Sequence, residues 1–308
     1  MTDLSATVER DPSLPDPTAP LTASGSLRRR AIVSRLVDLT ASGSALFAVA
    51  MLGLVVFDVA KRGAKALSLS FLFTNPSGFA GGGIANALIG TVLIVAFAAL
   101  IAVPIGILTG LYLTEFAGPR SRSARALRMV LDMLQGLPTI VVGVVIYGLI
   151  VATTHLETGF AGSVALAIVM LPLIARSSQE MLMLVPHTMR EGADALGVNR
   201  WRSVVGVILP AALGGIATGV ILSTARAAGE TAPLLFVNSI YNPNATQLNI
   251  FGHGVPSIPI YIYTNYDLPS QQAVNNVWGA AFVLLTFILL ANVGARVLLA
   301  RSRAKMSG

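Results

Sequence analysis

Long apolar runs that are almost free of charge constrain this chain more than any other feature. Only 11% of its 308 residues are charged, against about 25% in typical soluble domains. A helix needs about 20 mainly apolar residues to cross roughly 30 Å of hydrocarbon. Six segments approach or exceed that length, so the sequence predicts an all-α integral membrane protein with six transmembrane helices. These segments are residues 36–59, 84–113, 136–154, 160–176, 205–228 and 277–295.

The positions of the basic residues predict how the chain is oriented. With a cytoplasmic N-terminus, 17 of the 21 lysines and arginines lie on the inner side of the membrane. Lys61, Arg62 and Lys65 lie outside, and Arg226 lies in or beside a span. This asymmetry is typical of proteins inserted in the cell membrane, where inner loops carry the excess of positive charge. We therefore expect both termini in the cytoplasm, and we attribute the net charge of +7 to topology and not to a nucleic-acid partner.

The two ends of the chain differ from its middle. Residues 1–35 are rich in Pro, Ser, Thr and Asp without apolar periodicity, which predicts a disordered cytoplasmic tail. The transmembrane domain is expected at 36–300, and 301–308 form a short cytoplasmic tail. A signal peptide is the alternative for the first apolar run. That run is longer than the usual 7–15 residues and lies deep in the chain, which favours an uncleaved span.

The inner loop between spans four and five has the sequence pattern of two short helices. Thr188 with Glu191 three residues later forms a capping box, which predicts a helix from about Met189. Gly197 can end that helix in the left-handed conformation, and Asn199 can cap the next one. The result would be a protruding knob that fits a groove of another protein, although a plain connector remains the alternative. The apolar residues of the knob are Met189, Ala193, Leu196 and Val198.

The same loop, residues 176–204, resembles the EAA motif of ABC-importer permeases. That motif reads Glu-Ala-Ala, three residues, Gly, nine residues, Ile, one residue and Leu-Pro. The corresponding residues here are Glu191, Gly192, Ala193, Gly197, Val207, Leu209 and Pro210, with Gly192 in place of Ala and Val207 in place of Ile. The resemblance implies a loop that couples to a cytoplasmic ATPase subunit. The residues it implies for that coupling are Glu191, Ala193, Leu196 and Gly197.

The chain itself has no recognisable nucleotide or metal site. It contains no Gly-Lys dipeptide and hence no GxxxxGK[ST] phosphate loop, so ATP would be bound and hydrolysed by a partner subunit. It has no cysteine, and its three histidines lack the spacing of metal ligands. We expect a transport subunit without catalytic residues, without its own ATPase site and without a cofactor.

Arg226 and Glu230 interrupt the end of the fifth apolar run, in the stretch TARAAGETAPLLF (224–236). A charge near the bilayer centre costs about 2.5–3.5 kcal/mol on insertion scales. Residues four apart meet on one helix face, so the two charges can pair and lower that cost. An arginine fork can also bind phosphate through two parallel hydrogen bonds. The spacing thus favours a substrate pathway, with a structural ion pair as the alternative.

The stretch around Arg226 resembles the end of span five in the A-type subunit of phosphate ABC-importer permeases, and the resemblance extends over about residues 80–295. Further matching segments are GGGIANALIGTV (81–92), PIGILTGLYLTEF (104–116), GLPTIVVG (136–143), LPLIAR (171–176) and IPIYIY (258–263). The resemblance implies the type I ABC importer permease fold and inorganic phosphate as substrate. It also implies a hetero-dimer with a C-type permease subunit, two cytoplasmic ATPase subunits and an extracytoplasmic phosphate-binding protein.

The sequence leaves open other interpretations of the substrate, the transport class and some polar residues. The substrate could be another oxyanion such as sulfate or molybdate, because an arginine alone does not distinguish tetrahedral anions. An ion-coupled secondary carrier is the alternative from another class, although it predicts inverted repeats that are not evident here. The outer segment 237–275 is either an ordered gating or docking loop or an aromatic belt. Asn86 and Thr91 either line a pathway or make interhelical hydrogen bonds.

Overall fold

The computed structural model describes residues 26–77, 81–118, 120–239 and 242–306, which are helical almost throughout. The α-helices are α1 (Ser26–Gly63), α2 (Leu69–Phe73), α3 (Ala85–Leu111), α4 (Arg122–Gly136), α5 (Thr139–Ile146), α6 (Ala152–Thr154), α7 (Gly159–Met183), α8 (His187–Ala195), α9 (Arg200–Ser203), α10 (Leu209–Ala228), α11 (Leu234–Val237), α12 (Ile258–Asn265) and α13 (Gln271–Met306). Turns of π-helix at Tyr112–Phe116, Tyr147–Val151 and Val204–Ile208 continue α3, α5 and α9, and Ala64–Ala66 is a 3₁₀ turn. Two short strands, β1 (Pro76–Ser77) and β2 (Gly81–Gly82), pair antiparallel, with Pro76 opposite Gly82.

The described residues contain six helical segments that are long and apolar enough to span a membrane, if one bent helix pair counts as a span. The five straight ones are Arg28–Ala66, Ala85–Phe116, Gly159–Met183, Arg200–Ala228 and Gln271–Val297. The bent pair is Arg122–Gly136 with Thr139–Thr154, which meet at 103°. The bend falls at Leu137, whose backbone is extended because the ring of Pro138 disfavours a helical conformation before it. The predicted all-α fold with six spans is confirmed in this form.

The helices at the two ends of the chain are longer than predicted. Helix α1 begins at Ser26, so residues 26–35 of the predicted tail are helical, while residues 1–25 lie outside the described part. Helix α13 continues to Met306, so the predicted tail 301–308 is helical up to that residue. Both extensions continue an apolar helix into an Arg-rich segment, and arginine is a good helix former. Residues 26–56 form a unit of their own, separate from residues 57–308.

Helix α7 lies at the centre of the second unit and is contacted closely by glycines on two sides. A Cβ at Gly106 of α3 would lie 2.7 Å from Ile174, and a Cβ at Gly219 of α10 would lie 2.1 Å from Ser177. Small residues let helix backbones approach in a membrane, where van der Waals packing drives association. The core formed there holds Ile94, Ala98, Met170, Ile174, Ala227 and Ala228, among others.

The two ends of this helical unit are built differently. One end, called here the basic end, comprises residues 112–118, 120–128 and 184–203. Its arginines are Arg120, Arg122, Arg125, Arg128, Arg190, Arg200 and Arg202. The opposite end, called the far end, comprises residues 155–158, 237–239 and 242–257. There the backbone N–H of Thr158 donates to Val237 and that of Gly159 to His253.

Buried polar side chains hold the far-end segment in place. Asn238 exchanges two hydrogen bonds of 2.7 Å with the backbone of Val255. The Thr91 hydroxyl accepts from Ile258 N at 2.9 Å, and Asn86 donates to Pro243 O at 2.6 Å. Thr91 therefore makes an interhelical hydrogen bond to α12, whereas Asn86 bonds to the loop at Pro243.

The IPIYIY stretch lies in the helix α12. Pro259 lies in its first turn, where a missing N–H costs nothing because first-turn donors have no intrahelical partner. The alternation of apolar and aromatic residues in this stretch therefore does not reflect an extended conformation. Ile258 and Tyr261 are buried against Phe71, Ile84 and Ala280. The segment is thus ordered and packed between spans.

Candidate substrate pathway and coupling loop

Arg226 lies near the level of the middle of α7, and most of its side chain is exposed. The Ser223 hydroxyl, three residues before it, donates to Met170 O at 3.3 Å, and Met170 is near the middle of α7. Three helical residues rise only about 4.5 Å, so Arg226 is close to the level of the middle of α7, although its own helix ends two residues later at Ala228. Its neighbours Ala225 and Ala227 are buried, whereas 64% of the Arg226 side chain is exposed.

Glu230 contacts this arginine as the spacing predicts. The Arg226 Nε and Glu230 Oε1 atoms are 3.5 Å apart, and the glutamate side chain is 17% exposed. Both partners lie on one segment, so the pair does not tether span five to another span of this chain. Among the residues that the structure describes, no other ion pair or hydrogen bond engages the guanidinium. Its terminal nitrogens are thus without a hydrogen-bond partner in the described part of the chain.

The local sequence explains how Glu230 is placed. Helix α10 ends at Ala228, and the N–H groups of Gly229 and Glu230 donate to Arg226 O and Ala227 O in a tightened last turn. The helix therefore ends before Pro233, which is the N-cap residue of α11. A Cβ at Gly143 would lie 2.8 Å from Pro233, so the α5 backbone packs directly on this turn.

The coupling loop has the predicted helix–turn–helix geometry. Helix α8 spans His187–Ala195, and Gly197 has φ +66°, the left-handed conformation expected of it. The Asn199 side chain accepts from Trp201 N at 3.0 Å and caps α9 as predicted. The loop is shorter than the predicted 176–204, because α7 continues to Met183.

Two details of the loop differ from the sequence prediction. No side chain caps α8, which begins at His187 directly after Pro186, so the predicted capping box of Thr188 and Glu191 is wrong. The side chain of proline has no hydrogen-bond acceptor, so it cannot cap the first N–H groups of α8. Ala193 is buried within the chain, so it is not available to a partner, whereas Leu196 is 82% exposed beside Gly197. Glu191 is also exposed.

A buried ion pair anchors this loop, and it was not predicted from the sequence. Arg190 of α8 and Glu115 at the end of span two are 75 residues apart, yet Arg190 Nη2 lies 2.9 Å from Glu115 Oε1. The two side chains are 18% and 5% exposed. Arg190 also donates to Leu182 O at 2.7 Å and Val185 O at 2.6 Å, at the end of α7. A carboxylate within the otherwise apolar LYLTEF stretch was the available sequence signal.

The second half of the loop contacts the same turn of span two. The Trp201 and Phe116 rings lie 6.2 Å apart, and the Arg200 guanidinium lies 5.9 Å from the Phe116 ring centre. Phe116 and Glu115 both belong to the π-helical turn Tyr112–Phe116. The two helices of the loop therefore both contact this one turn.

A cavity of about 420 Å³ opens beside this contact at the basic end. Its charged and polar lining includes Glu115, Arg128, Gln179, His187, Arg190 and Arg200. Within the described residues, no group of three or more His, Asp or Glu side chains is arranged to hold a metal ion. The features that stand out chemically are thus two arginine–glutamate pairs, one mostly exposed near the level of the middle of α7 and one buried at the basic end.

Comparison with known proteins identifies the family. The model of the binding-protein-dependent transport system inner membrane component matches residues 102–306. The chain belongs to this family. It is 34% identical to the phosphate transport system permease protein PstA of Yersinia pestis over 275 residues, which cover 88% of this chain and 91% of the relative. It is 39% identical to PstA of Pasteurella multocida over 244 residues, covering 79% and 86%. It is 36% identical to PstA 1 of Mycobacterium tuberculosis, covering 82% and 84%.

Solved structures of ABC transporters have the same fold as this chain. An inward-facing structure of the MetNI methionine ABC transporter aligns with a TM-score of 0.52 at 18% identity, over 71% of this chain and 94% of the other. A bacterial alginate ABC transporter complex aligns with a TM-score of 0.56 at 13% identity, over 89% and 99%. The predicted type I ABC importer permease fold is confirmed, and the chain is a multi-pass membrane protein. Membership of this family implies ATPase and binding-protein partners.

Proposed function

We propose that this chain is the A-type permease subunit of an ATP-driven inorganic phosphate importer. Several relatives at 34–39% identity over most of the chain carry the name of phosphate permeases. The observation on this chain that carries the proposal is Arg226, a mostly exposed guanidinium level with the middle of α7, whose terminal nitrogens make no hydrogen bond or ion pair to a described residue. Such a fork matches the oxygens of phosphate and provides two parallel hydrogen bonds.

The exposure of Arg226 supports a hetero-dimeric pore. An arginine that faced lipid at this depth would carry an uncompensated cost of about 2.5–3.5 kcal/mol. Covering its face with a C-type permease subunit would turn the lipid-exposed surface into a polar pathway between subunits. Glu230 then holds the guanidinium in the absence of an anion and yields it when one arrives. This exchange keeps the site weak enough for the ion to leave.

The partner subunits and the orientation of the chain are part of the same proposal. Two ATPase subunits bind and hydrolyse ATP and dock on the coupling loop, where Glu191, Leu196 and Gly197 lie on the accessible side and Ala193 supports the knob from within. An extracytoplasmic phosphate-binding protein docks on the far end. Both termini lie in the cytoplasm, which places the arginine-rich basic end inside in accord with the positive-inside rule. This chain needs no cofactor of its own.

Uptake of labelled phosphate by the complete transporter in proteoliposomes tests the proposal. Replacing Arg226 by Gln removes the charged fork, and we expect uptake to fall about 10- to 100-fold while the complex still assembles. Arg62→Gln is the matched control, because Arg62 pairs with Asp58 at the same i,i+4 spacing, 2.9 Å apart, and should leave uptake unchanged. Loss of assembly in Arg226→Gln would assign the pair a structural role.

Competition experiments decide between phosphate and other oxyanions. An excess of sulfate or molybdate should leave phosphate uptake by the wild-type transporter unaffected. If either anion is transported in place of phosphate, the alternative of a sulfate or molybdate permease holds. Uptake that requires an ion gradient and no ATP would instead favour a secondary carrier.

A further inference from the structure

One turn of span two receives contacts from both helices of the coupling loop. The turn, Tyr112–Phe116, is called here the receiver turn. Glu115 pairs with Arg190 of α8, and Phe116 contacts Trp201 and Arg200 of α9. These contacts are independent, since one is a charged hydrogen bond and the other a ring contact, and they come from different helices.

The receiver turn is π-helical, which sets it apart from the rest of span two. Single π-helical turns interrupt the regular α-helical ladder and occur often at functional sites. The turn is also anchored to the rest of the unit, since Leu113 is buried with Ala175 of α7 and Leu131 of α4. A displacement of this turn would therefore also displace the helices that pack on it.

Arg190 joins three elements through one guanidinium. It donates to the Glu115 carboxylate of span two and to Leu182 O and Val185 O at the end of span four. The last carbonyls of a helix have no intrahelical partner, so an arginine there satisfies them as well as the charge. Because both side chains are largely buried, the link is not screened by water and resists separation.

We propose that Arg190 and Glu115 form the link through which movement of the coupling loop shifts the inner ends of spans two and four. This inference rests on the proposed function, because it assumes that an ATPase moves the loop. Arg190 and Glu115 are positioning residues and do not contact substrate. Phe116 and Trp201 limit sliding between the loop and the receiver turn, while the charged pair resists its separation.

The ratio of phosphate taken up to ATP hydrolysed tests this role in the complete reconstituted transporter. Glu115→Gln keeps the size of the side chain but removes its charge, and we expect the ratio to fall about tenfold while the ATPase subunits stay bound. Asp132→Asn is the matched control, because Asp132 pairs with Arg176 between α4 and α7 without contacting the coupling loop. It should leave the ratio unchanged.

Two results with Glu115→Gln would overturn the proposal. One is an unchanged ratio, and the other is loss of the ATPase subunits with a parallel loss of uptake and hydrolysis, which indicates a purely structural pair. If the variant does not insert in the membrane, Glu115→Asp decides, because it keeps the charge but shortens the reach. A lowered ratio then supports the link, and an unchanged ratio refutes it.

A measurement without phosphate separates this inference from the proposed function. The chain has no cysteine, so spin labels at Ile105→Cys and Leu290→Cys report the distance between spans two and six without background. We expect ATP with vanadate to change this distance in the otherwise unaltered chain and to leave it unchanged when Glu115→Gln is added. Equal changes in both, or none in either, would overturn the link. Absent phosphate uptake would by itself refute only the proposed substrate.

Discussion

The two arginine–glutamate pairs of this permease have the same chemistry and opposite surroundings. Arg226 and Glu230 lie four residues apart on one segment, 3.5 Å from each other, and the arginine is mostly exposed. Arg190 and Glu115 lie 75 residues apart in sequence, 2.9 Å from each other, and both are largely buried. The first pair can open without moving any helix of this chain. Separating the second pair requires the coupling loop and span two to move apart. The first pair therefore suits a site that an ion passes, and the second suits a mechanical connection between two elements.

The largest contrast should be in stability. Glu115→Ala leaves Arg190 charged and buried without its partner, a change that costs about 3–5 kcal/mol in comparable pairs. Glu230→Ala leaves Arg226 on a face that this chain does not cover, so the arginine is not trapped in a buried site and the loss of stability should be smaller. Thermal denaturation of the two variants in detergent measures the difference. Similar midpoints for both would mean that the buried pair is not a stronger connection than the exposed one.

Arg226→Lys tests whether the exposed pair recognises an anion by its fork. A lysine keeps the charge but offers a single ammonium in place of two parallel donors. Losing one charged hydrogen bond should reduce phosphate uptake about tenfold, with the melting temperature unchanged. Uptake at the wild-type level would contradict bidentate recognition and leave a general electrostatic role for Arg226.

Arg190→Lys tests the geometry of the buried pair in the same way. The ammonium can stay near Glu115 but cannot also reach the carbonyls of Leu182 and Val185 in the same geometry. We expect about a fivefold lower ratio of phosphate uptake to ATP hydrolysis, a smaller effect than that of Glu115→Gln. Arg202→Lys is a suitable control, because Arg202 is an exposed arginine of the same loop. An equal effect of both variants would point to the loss of loop arginines in general.

Glu230→Gln should have the smallest effect and tests the exchange of partners at Arg226. Without the carboxylate, phosphate meets a free guanidinium and is held longer, so the KM for phosphate and the maximal rate should both fall about threefold. Transport kinetics over a range of phosphate concentrations measure both values. A raised KM would mean that Glu230 orients Arg226 for binding and does not compete with the anion.

Local features of this chain followed directly from the sequence. The six apolar runs became spans because their length and lack of charge favour a membrane location, whereas the bend of the third span and its first helix, Arg122–Gly136, were not predicted. Gly197 and Asn199 act where predicted, because a left-handed turn and a helix cap depend on their immediate neighbours. The contact of Arg226 with Glu230 also needed only the period of a helix.

Features that depend on distant residues were missed or misplaced. Ala193 faces inward because the knob packs on other elements. The predicted capping box, in contrast, failed for a local reason, because Pro186 sets the start of α8. Glu115 received no role from the sequence, since nothing local connects it to Arg190.

The sequence by itself thus determined the membrane spans, the turn and cap of the coupling loop, and the pairing of Arg226 with Glu230. These properties arise from hydrophobicity, backbone conformation and helical spacing, all of which act over a few residues. Only the tertiary structure decided that Arg226 faces an uncovered surface and that Arg190 reaches Glu115. Both depend on how α3, α7 and α10 pack, and that packing is set by contacts between residues far apart in the chain.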